Sequence, residues 1–230
     1  MGSLAKNDQG IQPQSVRCVW VLSGAPLPQP MPDSRWVPPG DKIVVADGGS
    51  ALARHLGIVP DLVIGDLDSA PPDLIAQWQA AGVSFEQYQH HLKAETDTEL
   101  AVLAALRWQP EQIVLLGATG GRLDHTLANI LLLTHPALAQ VDIKIVNGNE
   151  EVFLAKPGTW NAVSGEAGDI MTLLPTGDDA IGITLEGFEY PLVGETLLRG
   201  RGRGVSNRLV ADGGRVWLES GLLSVIVEHA

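Results

Sequence analysis

Apolar residues follow one rhythm through the first two thirds of the chain and another after it. Val16–Leu22 is an apolar run, interrupted by Arg17, that breaks at Ser23-Gly24, the pattern of a buried parallel strand leaving a sheet. Ile43–Ala46 is a second short strand, ending at Asp47-Gly48-Gly49-Ser50. Ala51–Leu56 has helical spacing and is closed by Gly57 and Pro60. Leu62–Ile64 predicts a third strand, ending at Gly65-Asp66. Pro72–Ala81 predicts a helix with proline in its first turn and Gly82 just past its end. Thr96–Trp108 and Leu123–Leu133 then read as helices, and Ile113–Leu116 and Val141–Val146 as strands. Strands alternating with helices predict βαβ units and a mostly parallel, Rossmann-like α/β sheet.

Past about residue 150 the helical spacing disappears. Glu151–Ala155, Thr159–Ala162, Asp169–Pro175, Gly182–Glu186, Glu195–Leu198, Arg215–Ser220 and Leu222–Glu228 are short alternating or β-branched runs separated by Gly, Pro and Asn. They predict an antiparallel β-sandwich or barrel. The expected organisation is a flexible tail over 1–15, an α/β domain over 16–149 and a β-sandwich domain over 150–230, with the boundary near Asn147–Glu150. Pro26–Pro39, with its six prolines, reads as an irregular surface loop.

Composition narrows the function. A formal charge of −12 argues against nucleic acid, whose phosphates need a basic face. It leaves room for a nucleotide, because a carboxylate-held cation can reverse the local sign. The lone Cys18 sits in an apolar run and reads as a small buried hydrophobe. The polar N-terminus lacks the features of a signal peptide, and no apolar run approaches the ~20 residues of a membrane helix. The expected location is the cytoplasm.

The chemistry sits at the segment junctions. Asp47-Gly48-Gly49 follows the second strand and Gly65-Asp66-Leu67-Asp68-Ser69 the third. Glu95-Thr96-Asp97 opens a helix, and Gly117 to His125 joins a strand to a helix. Ligands of such sheets bind at the carboxyl ends of the strands, so these loops are expected to meet. Asp66, Asp68, Asp97 and Asp124 would then converge, and their mutual repulsion would be resolved by a hard cation such as Mg²⁺. Asp66 and Asp68, two apart in extended backbone, would face one side. The glycines let backbone N–H groups approach phosphate, and Arg122 offers a planar fork. No Walker motif and no dinucleotide fingerprint occurs. Each piece also has an ordinary reading. Asp47 and Asp66 suit plain turns, Thr96 or Asp97 suits a helix cap, Arg122 and Asp124 suit a surface pair, and His125 suits a hydrogen-bonded helix position.

Five segments in register make the chain resemble the thiamine pyrophosphokinase family over about residues 16 to 228. They are Ala46-Asp47-Gly48-Gly49-Ser50, Gly65-Asp66-Leu67-Asp68-Ser69, Thr96-Asp97-Thr98-Glu99, Gly120-Gly121-Arg122-Leu123-Asp124-His125 and Gly204-Val205-Ser206-Asn207. The resemblance implies transfer of pyrophosphate from ATP to the hydroxyl of thiamine, releasing AMP. It implies an α/β nucleotide domain followed by a β-sandwich. Asp66, Asp68, Asp97 and Asp124 would hold Mg²⁺ and, through it, the ATP triphosphate. Asp47, Gly48, Gly49 and Arg122 would lie against the nucleotide. Ser206 and Asn207 would help form the thiamine pocket, with Tyr190 stacking on the pyrimidine or packing as a plain strand residue. The resemblance also implies a homodimer in which each site draws nucleotide residues from one subunit and thiamine residues from the other.

Two departures from the family pattern stand out. Ala94 replaces the acidic residue that usually follows the lysine in Lys93-Ala94-Glu95-Thr96-Asp97, with Glu95 a candidate substitute. Arg199-Gly200-Arg201-Gly202-Arg203 is unusually basic, suiting either a phosphate contact across the dimer or a solvated hairpin. Two other functions fit the same residues: a pyrophosphokinase acting on a pterin or other hydroxymethyl acceptor, and a non-catalytic thiamine or nucleotide sensor.

Overall fold

The structure is a computed structural model, and residues 16–26, 36–88 and 94–230 are described. The expected tail over 1–15 and most of the proline-rich loop lie outside the described residues, as does Lys93.

Ten strands form one mixed sheet. In chain order its first six are β1 (Cys18–Leu22), β2 (Lys42–Ala46), β3 (Leu62–Gly65), β4 (Ser84–Gln87), β5 (Gln112–Leu116) and β6 (Asp142–Asn147). They lie in the order β4-β3-β2-β1-β5-β6, and every neighbouring pair is parallel. The chain winds outward from β1 to β4 and returns to place β5 on the other side of β1. The order therefore reverses at β1, where a crevice opens at the carboxyl ends. Helices α1 (Ser50–Leu56) and α2 (Pro72–Ala80) share an apolar cluster with Leu22, Val45, Val63 and Leu116 on one face. Helices α3 (Asp97–Ala105) and α4 (Leu123–Leu132) cover the other face, over Val19, Val21, Val44, Ile64 and Leu115. Ala101, Ala104 and Ala105 are fully or almost fully buried, so the small side chains of α3 let its axis lie close to β1–β3. Cys18 is buried, and burial pushes its thiol up to about 11, as expected of an inert core cysteine.

The expected parallel sheet is thus only part of the larger one. A hairpin over Gly148 and Asn149 leads from β6 into β7 (Glu150–Ala155), which pairs with β6 antiparallel. The ladder continues through β14 (Leu223–Glu228), β9 (Ile170–Pro175) and β12 (Asn207–Arg208). The change of sequence rhythm at Asn147–Glu150 therefore marks a turn inside a continuous sheet. A separate four-stranded antiparallel sheet holds β11 (Glu195–Leu197), β10 (Ala180–Glu186), β13 (Gly214–Trp217) and β8 (Trp160–Val163) in that order. Met171, Leu173, Val225 and Val227 of the large sheet share one apolar cluster with Ile183, Leu185, Val216 and Leu218. At about 1.5–3 kcal/mol per buried aliphatic side chain, that cluster is what holds the second sheet in place.

Two strands were missed by the sequence pattern. β4 reads Ser-Phe-Glu-Gln, an edge strand with no apolar run, and β12 has only two residues.

Asp169 ties the ends of the second half together. It is 3% exposed, and its carboxylate accepts the N–H of Glu166 (3.0 Å) and of Ala230 (3.0 Å) and meets His229 Nδ1 at 2.8 Å. His229 N–H donates to Asn149 O, and Asn149 Nδ2 returns a bond to His229 O, both at 2.8 Å. The Glu166 N–H, followed by His229, holds the Asp169 carboxyl below its ordinary 3.8. A depressed carboxylate contributes stability that is present above the ordinary value and lost as pH falls through the folded one. Asp169→Asn, which turns a donor toward donors, is expected to cost about 1–3 kcal/mol near neutral pH. In thermal unfolding the deficit should shrink as the pH drops below 3.8; an equal deficit at both ends would contradict this role.

Candidate active site

Close backbone packing builds the crevice. A Cβ added to Gly24 would fall 2.8 Å from Gly48 Cα, and one on Gly49 would fall 2.1 Å from Leu22 O. Only glycine lets the loops after β1 and β2 meet this tightly. Gly65, at φ +149°, is equally constrained, since its Cβ would lie 2.5 Å from Asp47 Cβ and 3.3 Å from Asp97 Oδ1. Three strand or helix ends are thereby pressed together around Asp47.

The cleft between them has a volume of about 500 Å³. Its lining includes Asp47, Gly48, Asp66, Asp68, Asp97, Gly120, Gly121, Arg122 and His125. One carboxylate oxygen each from Asp47, Asp66 and Asp68 lies within 4.8 Å of the others. Asp47 is 2% exposed. Its Oδ2 accepts the Ser69 N–H at 3.1 Å, while its buried Oδ1 has no hydrogen-bond partner among the described residues. Burial first, and the charges of Asp66 and Asp68 after it, push the Asp47 carboxyl above its ordinary value, against the bonds from Ser69. A buried carboxylate clustered with two further carboxylates is a donor set suited to a hard divalent cation, and these residues fit Mg²⁺.

Asp66 and Asp68 reach the cluster by a different route from the one expected. The backbone between them is not extended: Leu67 is left-handed at φ +65°, and the Asp68 N–H faces Asp66 Oδ1 at 3.4 Å. A turn closed by the first carboxylate, rather than strand alternation, brings the two together. Asp97 sits at the first turn of α3, whose positive end favours an anion. Thr96 caps that helix by accepting the Glu99 N–H at 3.1 Å, so the ordinary reading of Thr96 holds as well. Thr98 meets Ser23 Oγ at 2.7 Å in a buried contact that pins α3 to the end of β1. The loop after β5 turns through left-handed glycines at 117, 120 and 121, and Asn129 Nδ2 holds it by donating to Ala118 O at 2.7 Å. Ser23 and Asn129 belong to none of the five segments, and Ser69 and Thr98 lie within two of them without an expected role; their place beside the aspartate loops was the available signal.

Asp124 does not join the other aspartates. It lies outside the lining of the cleft, exposed at the start of α4, and grips Arg122 through two bonds of 2.6 and 3.1 Å. That pairing holds its carboxyl down at about 2. Arg122 itself lines the cleft. Glu95, the candidate substitute beside Ala94, is exposed and accepts the Ala94 N–H at 3.1 Å, and it too lies outside the lining.

The thiamine-pocket candidates lie elsewhere. Tyr190 and Asn207 line a second cleft of about 140 Å³ with Leu185, Leu192, Arg203 and Val205. Ser206 is adjacent, exposed and left-handed at φ +62°, its N–H held by Thr172 Oγ1 at 3.1 Å. None of the three lines the aspartate cleft. Arg203 is bound in a fork to Glu195. A third groove, of about 450 Å³, runs between the end of α4 and β6–β8, but its lysines are already paired, Lys144 with Glu151 and Lys156 with Asp142. The carboxylates gather at the first cleft.

Residues 38–146 match the model of the thiamin pyrophosphokinase catalytic domain, and residues 162–223 that of the thiamin pyrophosphokinase vitamin B1 binding domain. The chain belongs to the thiamin pyrophosphokinase family. Asp47, Asp66, Asp68, Asp97 and Asp124, with Arg122, fall within the family's catalytic segment, and Tyr190, Ser206 and Asn207 within its vitamin B1 segment. The chain is 31% identical to the thiamine pyrophosphokinase of Bacillus subtilis over 180 residues, which are 78% of this chain and 84% of that protein. Its fold is similar to the crystal structure of the Bacillus subtilis enzyme, with a TM-score of 0.82, 26% identity, and 93% and 99% of the two chains covered. The thiamin pyrophosphokinase of Geobacillus thermodenitrificans gives a TM-score of 0.78 at 29% identity, covering 92% and 97%. Among the described residues, no helix is long and apolar enough to cross a membrane.

An acid whose pKa is raised by folding costs stability once ionised, and the cost is relieved as pH falls through the raised value. Without divalent ions, Asp47→Asn is therefore expected to raise the melting temperature by a few degrees, about 2–4 °C per kcal/mol for a chain of this size. It should also abolish stabilisation by added Mg²⁺. Melting with chelator and with Mg²⁺ checks both, and an unchanged response to Mg²⁺ would remove Asp47 from the cation site.

Proposed function

We propose that the chain transfers pyrophosphate from ATP to the hydroxyl of thiamine, forming thiamine diphosphate and AMP. The observation that carries this reading is the cluster of Asp47, Asp66 and Asp68, with one carboxylate oxygen of each within 4.8 Å of the others, at the crevice of a chain of this family. Asp47, Asp66 and Asp68 hold Mg²⁺, with Asp97 beside them. A bound Mg²⁺ would neutralise charge on the phosphate oxygens of ATP. Gly48, Gly49 and the glycine loop after β5 bring backbone close to the nucleotide, and Arg122 lies against its phosphates, kept in place by Asp124.

The hydroxyl oxygen of thiamine attacks the β-phosphorus in line. The new O–P bond forms as the bond from that phosphorus to the AMP oxygen breaks, and Asp68 or Asp97 accepts the hydroxyl proton. Positioning and neutralisation of developing charge supply most of the acceleration. ATP as a substrate goes with a cytoplasmic location.

The same reading makes the enzyme a homodimer with sites at the subunit interface. Within one chain the aspartates and the Tyr190 group line different clefts. Leu123, Leu127 and Leu131 form an exposed apolar stripe on α4 beside Arg122, and Val205 is exposed at the second cleft. Contiguous exposed apolar surface of this kind marks an interaction face. In this reading the parallel part is the Rossmann-like nucleotide domain and the antiparallel part a thiamine-binding sandwich.

AMP release, assayed with thiamine and Mg²⁺ each omitted in turn, tests the activity; release should require both. Asp66→Ala should lower turnover at least about a thousandfold with the fold intact, whereas Asp124→Ala, which only frees Arg122, should cost about tenfold. Near-normal turnover in Asp66→Ala would sink the cation assignment. Release with hydroxymethylpterin in place of thiamine would move the acceptor, and thiamine binding without AMP would mark a sensor.

At thiamine concentrations too low to serve Tyr190→Ala, mixing it with Asp66→Ala, which is deficient in turnover, should give more activity than the sum of the two, because a mixed dimer contains one intact composite site. No recovery between subunits shown to exchange would refute shared sites.

A further inference from the structure

Asn207 sits in the segment expected to touch thiamine, yet it is only 7% exposed and its amide is committed elsewhere. Residues 187–190 run antiparallel to 207–210. Val210 N–H donates to Gly187 O (3.0 Å), Phe188 bridges Leu209, and Glu189 N–H donates to Arg208 O (2.9 Å). The main chain of Asn207 pairs with Met171 of β9 on its other side, and the left-handed Ser206 turns the chain out of the strand. Backbone alone therefore cannot continue this ladder to Tyr190.

The side chain continues it. Asn207 Oδ1 accepts the Tyr190 N–H at 3.0 Å and the Arg208 N–H at 2.8 Å, and Nδ2 donates to Tyr190 O at 2.7 Å. Two N–H groups converge on one amide atom and a carbonyl on the other, which fixes the orientation of the amide. Tyr190 is thus held at both its N–H and its carbonyl, as by a peptide group of a neighbouring strand. Phe188 and Leu192 are buried on either side and the Leu185 N–H donates to Leu192 O at 3.0 Å, so the segment is anchored at both ends and Asn207 fixes its tip. The residue it fixes is itself 59% exposed at the rim of the second cleft.

We propose that Asn207 is a positioning residue, whose amide stands in for a strand peptide and presents Tyr190 to the acceptor substrate without touching that substrate. Only asparagine supplies a donor and an acceptor at this reach. Aspartate would set a carboxylate oxygen against the Tyr190 carbonyl, and serine would fall short. A ring held in place before binding loses less freedom when an aromatic ligand arrives, which strengthens binding rather than chemistry. The inference rests on the reading that Tyr190 receives thiamine.

Steady-state kinetics of Asn207→Ala, Asn207→Asp, Tyr190→Ala and the double variant Tyr190→Ala/Asn207→Ala test it, with thiamine and ATP varied separately. Asn207→Ala should raise KM for thiamine about tenfold, leaving KM for ATP and kcat at saturating thiamine within about twofold. Asn207→Asp, nearly isosteric, should reproduce the effect and carries the test if the alanine variant does not fold. In the Tyr190→Ala background, Asn207→Ala should add nothing. Equal effects of Asn207→Ala in both backgrounds would mean that Asn207 contacts thiamine itself, overturning this proposal while leaving the stacking reading intact. A lowered melting temperature with unchanged KM would reduce Asn207 to a purely structural role and also overturn it. Tyr190→Ala without effect on KM for thiamine would instead remove the stacking reading, and this inference with it.

Discussion

Three carboxylate oxygens within 4.8 Å of one another, one of them on a side chain 2% exposed, repel strongly in the absence of a counter-charge. Folding forces that conflict on the chain. Glycines at 24, 48, 49 and 65 remove the side chains that would keep the strand ends apart, and the apolar clusters on both faces of the sheet hold those ends where they are. The energy of a large core is in this way used to maintain a small unfavourable contact. A site of this kind suits a positively charged ligand.

The supports around the cluster follow the same logic. Thr98 and Ser23 lock α3 to β1, Asn129 ties the loop after β5 to α4, and Asp124 takes up the fork of Arg122. Each of these polar groups acts on a loop backbone or on another side chain. In the second half, Asn207 does the same for Tyr190 and Asp169 for the last residues of the chain. Loops that carry chemistry are held in both halves by side-chain amides, hydroxyls and carboxylates in place of regular secondary structure.

Much of this was legible in the sequence because strand ends are local. Apolar runs followed by Asp and Gly placed Asp47, Asp66 and Asp68 at one sheet edge, and helical spacing placed Asp97 at the head of α3. What was not legible depends on distant contacts. Asp47 was expected against the nucleotide; that its carboxylate is buried beside Asp66 and Asp68 follows from its contact with Gly65, which no local pattern announces. Asp124 satisfies the motif but points to Arg122, because at an exposed helix start the neighbouring guanidinium is the nearer partner. The polar β4 has no apolar run to betray it. The change of rhythm at Asn147 falls where parallel pairing gives way to antiparallel, and local periodicity cannot report that β6 and β7 are hydrogen-bonded to each other.

That last feature has a mechanical consequence. A turn of two residues, Gly148 and Asn149, joins the parallel and antiparallel parts, and the ladder of hydrogen bonds crosses the join without interruption. Asn149 is moreover bonded to His229 through both its carbonyl and its side-chain amide. Jaw-like opening of one half against the other would tear a β-sheet lengthwise. Substrates must therefore enter and products leave past loops at the edges, over a frame as stiff as a single plate.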